Sequence, residues 1–125
     1  MSRHVQCRID PKVASEMSKR RSLNELLRVG IVLRENLRPT PPWTDAAIRR
    51  FDRLVEDILD RVEEAIGPHP HGNHLGAWVD PERGGFQLSA HISFLDELVK
   101  QPEVAECIDD LDFIDLPEPD PKSLA

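Results

Sequence analysis

The chain begins with an alternation of polar and apolar residues. Its residues 3–11 read RHVQCRIDP, in which His4, Gln6 and Arg8 alternate with Val5, Cys7 and Ile9. Alternation of this kind predicts a half-buried strand. The Asp-Pro pair that follows predicts a helix start, because Asp10 can cap the helix and a proline at the first helical position loses no hydrogen bond. We therefore expect a strand up to Ile9 and a short helix over Pro11–Lys19.

The next apolar pattern has helical spacing. In the stretch SLNELLRVGIVLRENL, Ser22 and Glu25 stand three residues apart, as in a capping box. The apolar positions that follow the helical period are Leu23, Leu26, Leu27, Ile31 and Leu33. Gly30 falls inside this segment, where it costs a helix about 1 kcal/mol relative to alanine, and close approach of another backbone would explain it. These features predict a second, longer helix that ends at RPTPP.

The middle of the chain shows the clearest helical periodicity. Thr44 is a candidate N-cap, and Gly67-Pro68 is a candidate stop. The apolar positions between them recur in steps of three and four residues, at Ile48, Phe51, Val55, Ile58 and Val62. This spacing predicts a helix of about 22 residues that either joins subunits into an oligomer or packs against the C-terminal part of its own chain.

Residues 69–116 mix turn signals with short apolar runs. Ala77–Val79 and Phe86–Leu88 flank a turn rich in proline and glycine and so predict a hairpin, with Trp78 and Phe86 as core or interface residues. His69, His71 and His74 form a cluster, but they lie among Pro, Gly and Asn without a nearby finger-like partner, so a solvated loop is favoured over a metal site. Short helices are expected after Ser93 and from Pro102.

The last residues, 112–125, combine acidic side chains with Phe113, Ile114 and Leu116 and contain three prolines. This composition favours a tail that is disordered alone. Such a tail either orders on a basic partner or serves only to keep the protein in solution.

Composition narrows the function classes. The chain has a net charge of −7, but residues 1–40 carry nine basic and four acidic residues, whereas residues 41–125 carry seven and nineteen. A basic segment joined to an acidic one is typical of a nucleic-acid module attached to a partner module. No phosphate-binding loop or nucleophile motif is present, so we expect no enzyme and no cofactor or metal. No bilayer span or signal peptide is visible, and the separated Cys7 and Cys107 fit a reducing cytoplasm.

The order strand, short helix, turn, longer helix over Arg3–Leu37 resembles the ribbon-helix-helix family of DNA-binding proteins. In that family, two chains pair their single strands into a ribbon that lies in the major groove. The resemblance implies base reading by His4, Gln6 and Arg8. It implies phosphate binding by Lys19, Arg20, Arg21, Ser22, Leu23 and Asn24. It implies a dimer core of Val5, Cys7, Ile9, Leu26, Leu27 and Gly30.

The segment around Leu23–Asn36 is also similar to the second helix of ParR-type plasmid partition proteins, and the layout is similar to that of TraM-type relaxosome proteins. The resemblance implies a mainly α fold with a small β part. Residues 1–40 would form the DNA-binding module, 41–111 an oligomerisation or partner-binding region with a hairpin, and 112–125 the tail. The expected function is sequence-specific binding of double-stranded DNA by a dimer or larger homo-oligomer. The alternative is an antitoxin or phage-type inhibitor that binds another protein.

Overall fold

The computed structural model describes residues 7–21, 25–67 and 73–116, which form a five-stranded mixed sheet with helices on both faces. The strands are β1 (Arg8–Ile9), β2 (Leu26–Leu33), β3 (His74–Asp80), β4 (Gly85–His91) and β5 (Val104–Asp109). The helices are α1 (Pro11–Arg20), α2 (Asp45–Ile66), α3 (Ile92–Leu98) and α4 (Asp110–Ile114), with a 3₁₀ turn at Glu35–Leu37. The expectation of a mainly α fold with an N-terminal ribbon-helix-helix module is therefore wrong.

The strands lie in the order β1-β5-β2-β4-β3. β1 pairs with β5 in parallel, and every other pairing is antiparallel. The strand predicted at the start of the chain thus finds its partner within the chain: Ile9 lies opposite Cys107. Strands from the predicted regions 1–40 and 41–111 share one sheet, in which β2 of the first region lies between β4 and β5 of the second.

The segment predicted as the second helix is the central strand β2. Pairing on both edges and layers on both faces leave nearly all of its side chains buried, so the polar-apolar alternation of a half-buried strand is absent. A continuous apolar run of this length is compatible with either a buried strand or a helix. The β-branched Val29, Ile31 and Val32 favour the strand, because such side chains pack well on a pleated surface.

The helices α1 and α2 confirm the capping predictions. The Asp10 side chain accepts a hydrogen bond of 2.8 Å from the Lys12 amide. Thr44 Oγ1 accepts one of 3.1 Å from the Ala47 amide, and α2 ends before Gly67, whose φ is 81°. The hairpin is confirmed as well, with longer strands than predicted. The helix expected from Pro102 is wrong, because residues 104–109 form β5.

Three helices cover one face of the sheet. α1, α2 and α3 share a single core cluster with the inward residues of the strands, among them Val29, Ile31, Phe86, Leu88 and Cys107. The predicted stripe on α2 contributes Phe51, Val55, Ile58 and Val62 to this core. The stripe therefore packs within its own chain, the second of the two alternatives that the sequence left open.

The opposite face is covered by the five-residue helix α4. Its Phe113 is fully buried and lies on two glycines, Gly30 of β2 and Gly85 of β4. A Cβ atom on Gly30 would lie 2.6 Å from Phe113 Cγ, closer than such atoms come to one another. Gly30 is thus required because the Phe113 side chain packs directly on the backbone of β2 at this position. Because α4 is folded here, the first part of the predicted tail is ordered.

We expect Gly30→Ala to destabilise the protein by about 1–3 kcal/mol, because the added methyl group overpacks the site of Phe113. Urea denaturation followed by Trp fluorescence measures this difference. In a Phe113→Gly background the same change should cost less, since all three of the closest atoms belong to the missing side chain. An equal cost in both backgrounds would contradict the contact.

Candidate protein-binding surface

An irregularity in β3 turns two large apolar side chains to the same face of the sheet. Leu75 pairs with Ser89 and Trp78 with Gln87, so three steps along β3 match two along β4. Successive residues of a strand point to opposite faces, and the extra residue of this bulge places Leu75 and Trp78 on one side. Gly76, within the bulge, has a φ of 60°. This is the face on which α4 lies.

The helix α4 adds two more exposed apolar residues to this face. Asp109 caps the helix by accepting a hydrogen bond of 2.9 Å from the Leu111 amide, and Phe113 fixes it to the sheet. The exposed fractions are 56% for Leu75, 66% for Trp78, 68% for Leu111 and 47% for Ile114. We refer to Leu75, Trp78, Leu111 and Ile114 as the Trp78 surface.

Contacts at the two sides of α4 show which way its exposed residues face. Asp112 lies 3.8 Å from Lys12 of α1, on the side of β1. On the other side, Arg83 of the β3–β4 turn donates a hydrogen bond of 3.2 Å to the Ile114 carbonyl. At about 100° per residue, Ile114 lies on the flank of the helix away from Asp112 and therefore toward β3 and β4, whereas Leu111 lies nearly opposite the buried Phe113 and points outward from the sheet.

The floor between α4 and β3 is polar, and its groups are paired. Gln87 is 8% exposed, and its Nε2 donates a short hydrogen bond to Asp110 Oδ1. Arg28 Nε lies 3.3 Å from Asp110 Oδ2. Each oxygen of the Asp110 carboxylate thus already has a partner in the chain. Another protein can therefore cover this floor without leaving the buried carboxylate unpaired.

A groove adjoins the Trp78 surface at the sheet edge. It has a volume of about 310 Å³ and is lined by Trp43, Ile48, Trp78, Val79, Asp80, Pro81, Glu82 and Arg83. The Trp43 indole Nε1 is buried and has no hydrogen-bond acceptor among the described residues.

The part of the chain that carries the Trp78 surface is also the most acidic. Residues 73–116 contain ten acidic residues and only two basic ones, a net charge of −8. Both basic side chains are paired, Arg83 with Asp80 at 2.7 Å and Lys100 with Glu97 at 3.9 Å. The surroundings of the surface therefore carry a negative field that would attract a basic protein.

The residues expected to read DNA bases are only partly described. His4 and Gln6, with Val5 of the predicted dimer core, lie outside the described residues. Arg8 is exposed in β1, opposite Glu106. The strand it belongs to is paired with β5 of the same chain, so the two-chain ribbon that the resemblance implied has no counterpart in this pairing.

The basic residues expected to bind phosphates are engaged with carboxylates. Lys19 and Arg20 lie 3.6 Å and 3.1 Å from Glu16. Arg21 forms a bidentate pair with Asp96, with contacts of 2.6 Å and 3.1 Å. Ser22, Leu23 and Asn24 lie outside the described residues. Phosphate binding stays a prediction, but Lys19, Arg20 and Arg21, the three cations expected to bind phosphates, are already paired with carboxylates.

The remaining predicted residues fall mostly inside the fold. Leu26, Leu27 and Gly30 of the predicted dimer core are in β2, and Cys7 and Ile9 pack against the helical core. Of the predicted oligomerisation residues, Ile48 alone is not fully buried, and it lines the groove at the sheet edge. Of the predicted tail motif, Phe113 is buried, Leu116 is half-buried and Ile114 is exposed.

Sequence reasoning singled out Trp78 and Ile114 but missed their grouping with Leu75 and Leu111. Leu75 and Trp78 have an odd spacing, which places them on opposite faces of a regular strand. Gly76 between them was the one signal for a bulge. Trp43 was missed as well, and no local pattern marks it, because its groove is built from β3 residues more than 30 positions away.

No group of metal-ligating side chains is found among the described residues, which include His74 but not His69 or His71. His74 instead lies 3.4 Å from Glu63 and packs on the Phe94 ring at 5.0 Å. Within the same ranges, no helix has the length and apolar character that a bilayer crossing needs.

The two thiols lie in one region of the core. Burial raises the pKa of Cys7 to about 11 and that of Cys107 to about 12, from an ordinary value of 9.0. Both groups are therefore protonated at neutral pH, which makes them poor nucleophiles. They act as small apolar residues at the β1–β5 pair.

These raised pKa values make stability fall at alkaline pH. The unfolded thiols ionise near pH 9, whereas the native thiols hold their protons up to about pH 11–12, so the stabilisation is complete below pH 9 and is lost as the pH rises. Urea denaturation at pH 8, 9.5 and 10.5 should show this loss. Cys107→Val, which removes the titrating group, should reduce the slope. A slope unchanged by Cys107→Val would contradict this assignment.

Comparisons of the chain with protein-family models, with curated proteins and with solved structures found no match. The ribbon-helix-helix resemblance accordingly receives no support from them.

Proposed function

We propose that this chain is a binding protein that recognises a basic partner protein through the Trp78 surface. The observation that carries the proposal is the exposure of Leu75, Trp78, Leu111 and Ile114 on one face of the sheet. Large exposed apolar residues gathered on one face and bordered by polar ones are characteristic of protein interfaces, and Trp is among the residues most enriched at positions that dominate binding energy. The mode of action is that of an inhibitor or antitoxin, which acts by occupying its partner.

The electrostatics support a basic partner. The net charge of −8 over residues 73–116 surrounds the surface with negative potential, which accelerates association with a positive protein and opposes a second negative one. The paired floor of Arg28, Gln87 and Asp110 supports burial of this face, since no polar group there has to lose its partner.

DNA binding is less well supported by the same arrangement. The Trp78 surface lies in the acidic part of the chain, where a polyanion is repelled. The cations of α1 are paired with carboxylates, and the segment expected to anchor phosphates at a helix start leads into the buried strand β2.

Photo-crosslinking in living cells of the organism that produces this protein tests the proposal. A photoreactive phenylalanine analogue replaces Trp78 or Leu111 in the full chain, and the control carries it at the exposed Ala65 of α2. Positions 78 and 111 should give the same protein adduct and position 65 should not. An adduct with a second copy of this chain, or a crosslink to DNA, would refute the proposal.

The purified partner then allows a quantitative test. Trp78→Ser should weaken its binding by at least about 30-fold, the loss typical of a dominant interface residue, and Ala65→Ser should leave it unchanged. Titration calorimetry measures both. The association rate should fall as salt rises, because the attraction is between opposite charges. Binding that tolerates both Trp78→Ser and the Leu111→Ser/Ile114→Ser pair contradicts the assignment of the surface.

A further inference from the structure

The strand β3 forms one edge of the sheet. It pairs with β4 on one side, and no described strand pairs with it on the other. Edges of this kind can accept a strand from another protein, unless charges, prolines or bulges block them. Within β3 there is no lysine, arginine or proline. The bulge is confined to the segment between Leu75 and Trp78, so residues 78–80 remain in regular register with β4.

The groove described above runs beside this regular part of β3. Trp43 and Ile48, from the start of α2, form the wall that faces Trp78 and Val79. Because the Trp43 Nε1–H is buried, Trp43 lines the groove through other atoms of its ring. Apolar side chains of an extended chain placed beside β3 can pack against Trp43 and Ile48.

The charges at the groove indicate what side chains the incoming strand carries. Asp80 and Glu82 line it, and Asp45 stands exposed at the start of α2 two residues from Trp43. Arg83, the one cation of the lining, is paired with Asp80. A second copy of this chain would bring another segment of charge −8 to the same place. A strand with basic side chains is therefore favoured over pairing of two β3 strands.

We propose that the partner binds as an extended segment that adds to the edge of β3, with basic residues alternating with apolar ones. This inference rests on the proposed function and specifies how the partner is recognised. Alternation suits the site because the side chains of an added strand point to both faces of the sheet, and the groove beside it combines the apolar Trp43 and Ile48 with the acidic Asp80 and Glu82.

The test uses the full chain and a seven-residue peptide of alternating arginine and valine, blocked at both ends. Amide shifts in residues 78–80 should be seen by nuclear magnetic resonance on titration. A peptide N-methylated at alternate residues, which cannot pair, and one with glutamate in place of arginine should bind at least about ten-fold more weakly. Equal binding by the N-methylated peptide would overturn the strand addition.

The two proposals fail in different ways. If crosslinks at positions 78 and 111 identify a partner but the peptide shifts no amide of β3, the partner uses the apolar face without adding a strand. If the crosslinks also fail, the Trp78 surface itself is refuted. Dimerisation of the chain through β3, seen by sedimentation and abolished by the peptide, would overturn the preference for a basic partner.

Discussion

The burial of β2 on both faces is the constraint on which the rest of this structure depends. On one face, Val29 and Ile31 form the floor under α1, α2 and α3, so the three helices share a single core. On the other face, Gly30 leaves room for the Phe113 ring, which holds α4 on the sheet. A strand enclosed in this way needs partners on both edges, and it finds them in β4 and β5, more than 50 residues further along the chain.

The same constraint shapes the candidate surface. Because α4 has only five residues and is fixed by one buried ring, it is the one described helix on the outer face and covers only part of it. Ile114 lies on its flank toward β3, Leu111 points outward, and the bulge of β3 turns Trp78 to the same face. Among the described residues, the exposed apolar side chains thus result from covering a five-stranded sheet with one short helix.

Local chemistry was readable from the sequence, and the pairing of distant segments was not. The caps at Asp10 and Thr44, the long helix α2 and the hairpin each depend on residues within a few positions, and each was predicted. The segment 26–33 was read as a helix because its leucines follow the helical period and Ser22-Glu25 resembles a capping box. Whether this segment forms a helix or a strand depends on the flanking strands β4 and β5, and no local sequence pattern indicates that those strands pair with it. The family resemblance relied on the same segment and therefore shared its error.

The two edge strands of the sheet, β1 and β3, differ in what they offer to another protein. At one end of the sheet, β1 has two described residues, whereas β3 offers a longer described edge beside two tryptophans. Proteins that do not use such an edge generally protect it with charge or proline, since an exposed strand invites aggregation. Here the protection is partial: one bulge, and a strong negative charge on the surrounding segment. In the proposed mode of binding, the negative charge that opposes the pairing of two copies through β3 is also the charge that favours a positive partner.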